Sequence, residues 1–191
     1  MSAKTTKPSS KKTSSRKTKK SDEHVMKKPR IFKITVNIGV GEAGEKLSKA
    51  QQVLEDITKQ KSIQTLSKTT NKDWGLRKGM PLGCKVSLRG NKAHEFLTQA
   101  FKTRENRIAD YAFDDQGNFS FGIPDHTLFV NQRYDPTIGI FGMDISVTME
   151  KPGFRVKRRR FDRRTVPKRH QVESHETMDF VKNTFAVEVV K

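Results

Sequence analysis

Cysteine is nearly absent: Cys84 stands alone in 191 residues. A single thiol excludes an intramolecular disulfide and any cysteine-based metal cluster, and fits a small buried hydrophobe. Long apolar runs are missing as well. No stretch approaches the roughly 18 residues a membrane span needs, and the basic start has no apolar signal-peptide core. Hydrophobic residues make up only 32% of the chain, low for a fully globular protein. Acidic residues are scarce beside basic ones, 21 against 39, for a formal net charge of +18. These shortages predict a soluble, reduced, cytoplasmic chain, without a membrane partner, that meets a polyanion. Its length suggests one domain with a tail, or at most two small domains.

The charge is concentrated in two places. Residues 1–30 hold 11 basic and 2 acidic side chains, and residues 151–170 hold 10 and 1. Residues 31–150 are close to balanced, with 16 basic and 14 acidic. The first segment is rich in Ser, Thr and Lys and has almost no apolar residue before Val25. It cannot bury enough surface to offset its ordering entropy, so residues 1–28 read as a basic disordered tail suited to phosphates. Residues 29–191 read as a single RNA-binding α+β domain carrying an Arg-rich loop over 151–170. That loop interleaves Phe154, Val156 and Phe161 with arginines. Guanidinium forks match phosphate oxygens, and the apolar residues are expected to anchor the loop to the body.

Periodicity supplies the elements. Ile31–Ile38 alternates and is rich in β-branched residues, which predicts a strand. Leu47, Ala50, Val53, Leu54 and Ile57 recur at helical spacing, predicting a helix over about 45–60. A short strand over 62–67, a long basic loop over 68–81 and a strand over 82–89 follow. Asn91 is placed to cap a helix whose buried face is Phe96, Leu97, Ala100 and Phe101. Period-2 aromatics around Asp114–Asn118 indicate a hairpin or tight loop. A strand over 142–150, a helix over 172–184 and a last strand over 186–190 complete the pattern. The order predicts a two-layer α+β sandwich, a mainly antiparallel sheet with helices on one face.

Most motifs have structural readings. Gly39-Val-Gly41-Glu-Ala-Gly44 follows a strand and precedes a helix, as a dinucleotide fingerprint does. The acidic residue that should end the next strand is missing, so tight-turn glycines are the better account. The five histidines show no metal-binding spacing, and Ser87 and Cys84 lack a nucleophile elbow or partner. Gly117-Asn-Phe119-Ser-Phe121-Gly122 is off by one from an RNA-recognition signature, which favours core packing for its phenylalanines. An enzyme is not expected, nor a cofactor or metal. A basic α+β domain without a helix-turn-helix or zinc module favours folded RNA over DNA.

Longer motifs carry a resemblance. Val36-Asn37-Ile-Gly39-Val-Gly41-Glu42 and Trp74-Gly-Leu-Arg77-Lys78-Gly79-Met-Pro81-Leu-Gly83-Cys-Lys85-Val-Ser-Leu-Arg89-Gly90 resemble the universal ribosomal protein L5 family, which binds 5S rRNA. The glycine-aromatic stretch at 117–122 and Tyr134-Asp135-Pro-Thr-Ile-Gly139-Ile-Phe-Gly142-Met-Asp144 continue the match. Pro152-Gly153-Phe154 before a basic loop is similar to the archaeal and eukaryotic branch. The likeness spans about residues 26–190, and the tail lies outside it.

The resemblance implies a structural, ribosome-bound protein of the large subunit's central protuberance. Its implied partners are 5S rRNA, large-subunit rRNA, P-site tRNA, neighbouring large-subunit proteins and a small-subunit head protein across an intersubunit bridge. By motif position, Asn37, Gln60 and Ser87 would face 5S rRNA. Lys68, Lys72, Lys85 and Arg89 join them from charge and placement. Trp74, Arg77 and Lys78 would form the tRNA-contacting loop, and the region from Arg104 to Asp115 the bridge. Arg155, Lys157, Arg158, Arg159, Arg160, Arg163, Arg164, Lys168 and Arg169 are expected to meet rRNA phosphates. The alternative reading is a free RNA chaperone or extraribosomal RNA-binding regulator.

Overall fold

The computed structural model describes residues 24–130 and 132–190. The reading of 1–23 as a disordered arm therefore lies outside the described residues. Residues 24–28 contain a short 3-10 turn, Val25–Lys27.

Strand β1 (Arg30–Gly39) leads through a glycine turn into helix α1 (Glu45–Thr58). Gly41 and Gly44 take positive φ values of 81° and 120°, so these glycines serve the turn's geometry. Strands β2 (Ile63–Leu66) and β3 (Pro81–Leu88) follow, then helix α2 (Asn91–Thr103). Strands β4 (Arg107–Ala109), β5 (Phe119–Ile123) and β6 (Met143–Glu150) come next. A single-turn helix α3 (Arg155–Arg158), helix α4 (Ser174–Phe185) and strand β7 (Glu188–Val190) end the chain.

Five strands form one antiparallel sheet in the order β2-β3-β1-β6-β5. Alternation decides its two faces. Ile34, Val36 and Ile38 of β1, Cys84, Val86 and Leu88 of β3, and Ile145 and Val147 of β6 are buried on the helical side. Against them lie Leu47, Ala50 and Leu54 of α1 and Phe96, Leu97, Ala100 and Phe101 of α2. Phe101 stacks with Phe119 and Phe121 at ring-centroid distances of 6.3 and 5.5 Å. The glycine-aromatic motif thus belongs to the core, as expected. Cys84 is fully buried, and that burial pushes its thiol up to about 11, which leaves it inert.

Four local expectations are corrected. Asn91 does not cap α2: Gly90 occupies the cap position with φ 61°, and Asn91 is the first helical residue. Residues 68–80 are not a featureless loop but a hairpin extension, closed by paired bonds between Asn71 and Leu76 at 2.9 and 2.8 Å. The last strand is shorter than expected because Ala186 adopts a left-handed conformation that terminates α4. It pairs in parallel with β4, outside the main sheet.

The basic segment, too, is anchored by other residues than expected. Phe161 is 77% exposed and anchors nothing. Val166 and Val172 are buried instead, and two charged side chains tie the segment down. Glu150, 3% exposed, accepts from Arg158 Nη2 at 3.1 and 2.8 Å, with Arg30 3.5 Å away. Lys151, 5% exposed, donates to the Gln171 carbonyl at 3.1 Å and to Glu176 Oε1 at 2.8 Å. Buried charges persist only when paired and hydrogen-bonded. Here Glu150 ties the middle of the segment to β6, and Lys151 ties its start to the chain that follows its end.

Candidate nucleic-acid interface

The helices cover one side of the sheet and leave the other open. Cross-strand register lines up its side chains in rows. Asn37 faces Lys85 on one neighbour and Asp144 on the other. Thr35 faces Ser87 and Ser146, and Ser146 faces Ser120. Lys85, Ser87, Asp144, Ser146 and Ser120 are all exposed. This surface is polar, with Lys85, Asn37 and the hydroxyls as donors and Asp144 as its acid. Gly83 adds to the flatness: a Cβ there would stand 2.6 Å from the Ile38 carbonyl.

Gln60 joins this face from the helical layer. Helix α1 ends at Lys59, whose φ of 49° turns the chain sharply. Glu55 then accepts from the Ser62 backbone N–H at 2.8 Å and its hydroxyl at 3.0 Å. Those bonds hold the Glu55 carboxyl below the usual carboxylate range and fix the turn that presents Gln60. β2 pairs with β3 no further than Lys85. Beyond that point Gln60 Nε2 donates to the Ser87 carbonyl at 3.3 Å.

The other candidates fall into two groups flanking the face. Lys68, Lys72, Trp74, Arg77 and Lys78 are exposed on the β2–β3 hairpin extension. Asp73 N–H donates to Asn71 Oδ1 at 3.0 Å and Lys78 N–H to Thr70 Oγ1 at 3.2 Å. The tip therefore has a defined shape, with Trp74 75% exposed on it. At the opposite end of β3, the Arg89 guanidinium lies 4.5 Å from the Phe32 ring centroid. The Arg158 guanidinium lies 3.8 Å from the same centroid, joining the sheet to the basic segment.

Within that segment the arginines are not equivalent. Arg158 is held by Glu150, and Arg159 donates to Asp162 Oδ2 at 2.8 Å. Arg164 meets the same Asp162 at 3.1 Å, and Arg163 Nε donates to the Lys157 carbonyl. Arg155, Lys157, Arg160, Lys168 and Arg169 are exposed and make no ion pair among the described residues. Asp162, the segment's only acid, thus shapes the loop by bridging two guanidiniums. Sequence reasoning missed Phe32, Lys33 and Glu150. A β-bulge between Ile31 and Lys33 displaces Phe32 from simple alternation, so no periodicity signals its place. The bridge candidates span Arg104 to Asp115, where Glu105 and Asn106 take positive φ values and Tyr111 is 92% exposed.

Known proteins resemble this chain in sequence. A family model described as "Ribosomal protein L5" matches residues 24–77, and a second one, describing the C-terminus of the same ribosomal family, matches residues 81–180. "Large ribosomal subunit protein uL5" of Sulfurisphaera tokodaii is 51% identical over 167 residues, covering 87% of this chain and 94% of that protein. The proteins of the same name from Methanococcus aeolicus and Methanococcus vannielii are 48% and 49% identical, over 88% of this chain and 94% and 95% of theirs. Two consecutive family matches and near-half identity over most of both chains leave one conclusion: this chain belongs to the ribosomal protein L5 family, an archaeal-type ribosomal protein with a structural rather than enzymatic role.

Proposed function

We propose that the chain is a constituent of the large ribosomal subunit that binds 5S rRNA through its open sheet face, within the central protuberance and in the cytoplasm. The carrying observation is that Asn37 and its cross-strand partner Lys85 share that face with Ser87, whose carbonyl Gln60 reaches. Lys85 there supplies salt-dependent attraction to phosphates, and the Asn37 and Gln60 amides supply register on one RNA surface. Lys68, Lys72 and Arg89 widen the basic border, and the exposed cations of 151–170 engage neighbouring rRNA phosphates. The hairpin tip with Trp74, Arg77 and Lys78 contacts P-site tRNA, far enough along the chain to act separately. The surface from Arg104 to Asp115 reaches a small-subunit head protein. No catalysis is involved: geometry and binding energy are the function.

The test is a salt-titrated comparison of 5S rRNA against tRNA and duplex DNA, with the full chain. Preference for 5S rRNA that persists as salt rises supports the reading. Equal affinities that collapse together with salt would reduce the protein to a nonspecific polycation. Stoichiometric sedimentation with large subunits separates a ribosomal constituent from a transient chaperone.

A further inference from the structure

Between the open face and the basic segment lies a cleft of about 400 Å³, within the range of small-ligand sites, roughly 300–1,000 Å³. We propose that it holds one unstacked ribonucleotide, with the base laid on the guanidinium plane of Arg158. The inference rests on the RNA-binding reading and names what a part of that surface recognises.

Arg158 carries the argument. Its guanidinium is fixed by Glu150 at 2.8 and 3.1 Å and by the Phe32 ring 3.8 Å away. Glu150 takes both of its bonds from Nη2 and is shared with Arg30 at 3.5 Å, so it fixes the guanidinium while only partly balancing its charge. The Arg158 side chain nonetheless stays 42% exposed and lines the cleft. An immobilised, partly compensated planar cation, with Phe32 on one face, offers its other face as a stacking surface for a base. The ordering cost of that long side chain is met in the folded protein, before any ligand arrives.

The rest of the cleft fits the other parts of a nucleotide. Asn118 Oδ1 accepts from the Met149 N–H at 3.2 Å, which leaves its amide N–H groups to donate to a base edge. Gln171 lines the same cleft and can donate or accept through its side chain. Lys33, Lys157 and Arg163 stand around it, suited to the phosphate. The basic N-terminal arm would bring like charge and is a poor occupant. An acidic peptide would satisfy the lysines but leave the guanidinium plane and the amides without a use.

The experiment has two arms on the full chain. In the first, AMP, UMP, ribose 5-phosphate and inorganic phosphate are titrated separately while NMR follows the Asn118 and Gln171 side-chain amides and the Arg158 Nε–H. Shifts with the nucleotides alone are expected. Equal shifts with all four would make the cleft an anion site and overturn the proposal, as would no shift with nucleotides at millimolar concentration.

In the second arm, 5S rRNA binding is measured across salt for Arg158→Lys, which keeps the charge and removes the plane. About tenfold weaker binding with an unchanged salt slope is expected for a lost base stack. A slope reduced by about 1 would mark a phosphate partner instead and overturn it. Because Arg158→Lys also loosens Glu150, Thr165→Trp blocks the cleft from its exposed rim with that pair intact. It should weaken binding similarly, and wild-type affinity would overturn the proposal. Failure of the 5S reading itself has a different signature: the wild-type chain would not prefer 5S rRNA, while the mononucleotide shifts persist.

Discussion

Gln60 Nε2 donates to the Ser87 backbone carbonyl at 3.3 Å, joining residues 27 positions apart at the edge where β2 stops. The bond satisfies a β3 carbonyl beyond the last residue that pairs with β2, and it leaves the Gln60 Oε1 as an acceptor. Gln60→Leu should leave folding intact, because water can replace the donor at an exposed edge. Affinity for 5S rRNA should fall on the order of 5-fold, the equivalent of about 1 kcal/mol for a missing hydrogen bond. Filter binding of the purified variant checks this, and wild-type affinity would remove Gln60 from the interface.

The hairpin tip should be separable from the sheet face. Trp74 and Arg77 are exposed, and the hairpin is held by backbone bonds between Asn71 and Leu76. Arg77→Ala therefore leaves stability and 5S rRNA affinity unchanged while weakening tRNA-dependent steps of translation in reconstituted subunits. A folded variant that loses both equally would merge the two surfaces into one.

The basic arm and the basic segment should differ in the same spirit. Residues 1–23 hold 8 basic and 2 acidic side chains, whereas Arg30 begins β1 and stands 3.5 Å from Glu150. Removing 1–23 should preserve the preference for 5S rRNA and flatten the dependence of affinity on salt, by roughly 0.7–0.9 in slope for each phosphate no longer engaged. Selectivity that disappears with the arm would place recognition there instead of on the sheet.

Much of this architecture is legible from local pattern. β1, β3, α1 and α2 each repeat a buried residue at the period of their own geometry, so Ile34, Val36, Ile38 and Leu47, Ala50, Leu54 announce themselves. The parallel pair β4–β7 does not. Each strand has three residues, too few for a period, and Arg107 pairs with Glu188 across most of the second half of the chain. Arg158 reads as basic in the sequence but not as immobilised, since its partners Glu150 and Phe32 come from another element and a bulge. Glu150 and Lys151 look like ordinary surface charges in sequence, and only the folded segment places them inside. Residue type favours Phe161 as an anchor over Val166. Three-dimensional packing chooses the smaller residue.

The Lys151–Glu176 pair should show an asymmetry. Lys151 is the more buried partner, with 7% of its side chain exposed against 33% for Glu176. Glu176→Ala leaves a buried ammonium with only the Gln171 carbonyl as partner and should cost about 3 kcal/mol. Loss of the capping box at α4 adds to that cost. Lys151→Met removes the buried charge itself, and the part-exposed carboxylate left behind can hydrate, so its cost should be clearly smaller. Urea unfolding of both variants decides: equal losses would mean that burial does not govern this pair.

Acid should loosen the turn that presents Gln60. Ser62 donates to the Glu55 carboxylate through its backbone and its hydroxyl, and both bonds lower the carboxyl from its ordinary value of 4.5. A carboxyl lowered on folding stabilises the native state above its unfolded value, and that contribution disappears as pH falls through the folded value. The window therefore lies below about pH 4.5. Glu55→Gln keeps one acceptor oxygen but never ionises. At pH 7 the variant should unfold at lower urea than the wild type. The gap should close as pH falls below the wild-type carboxyl's folded value, because both side chains are then neutral. A gap that stays constant from pH 7 into that acid range would mean the Ser62 bonds do not favour the ionised form. In that case the αL turn at Lys59, rather than Glu55, is what holds Gln60 against β3.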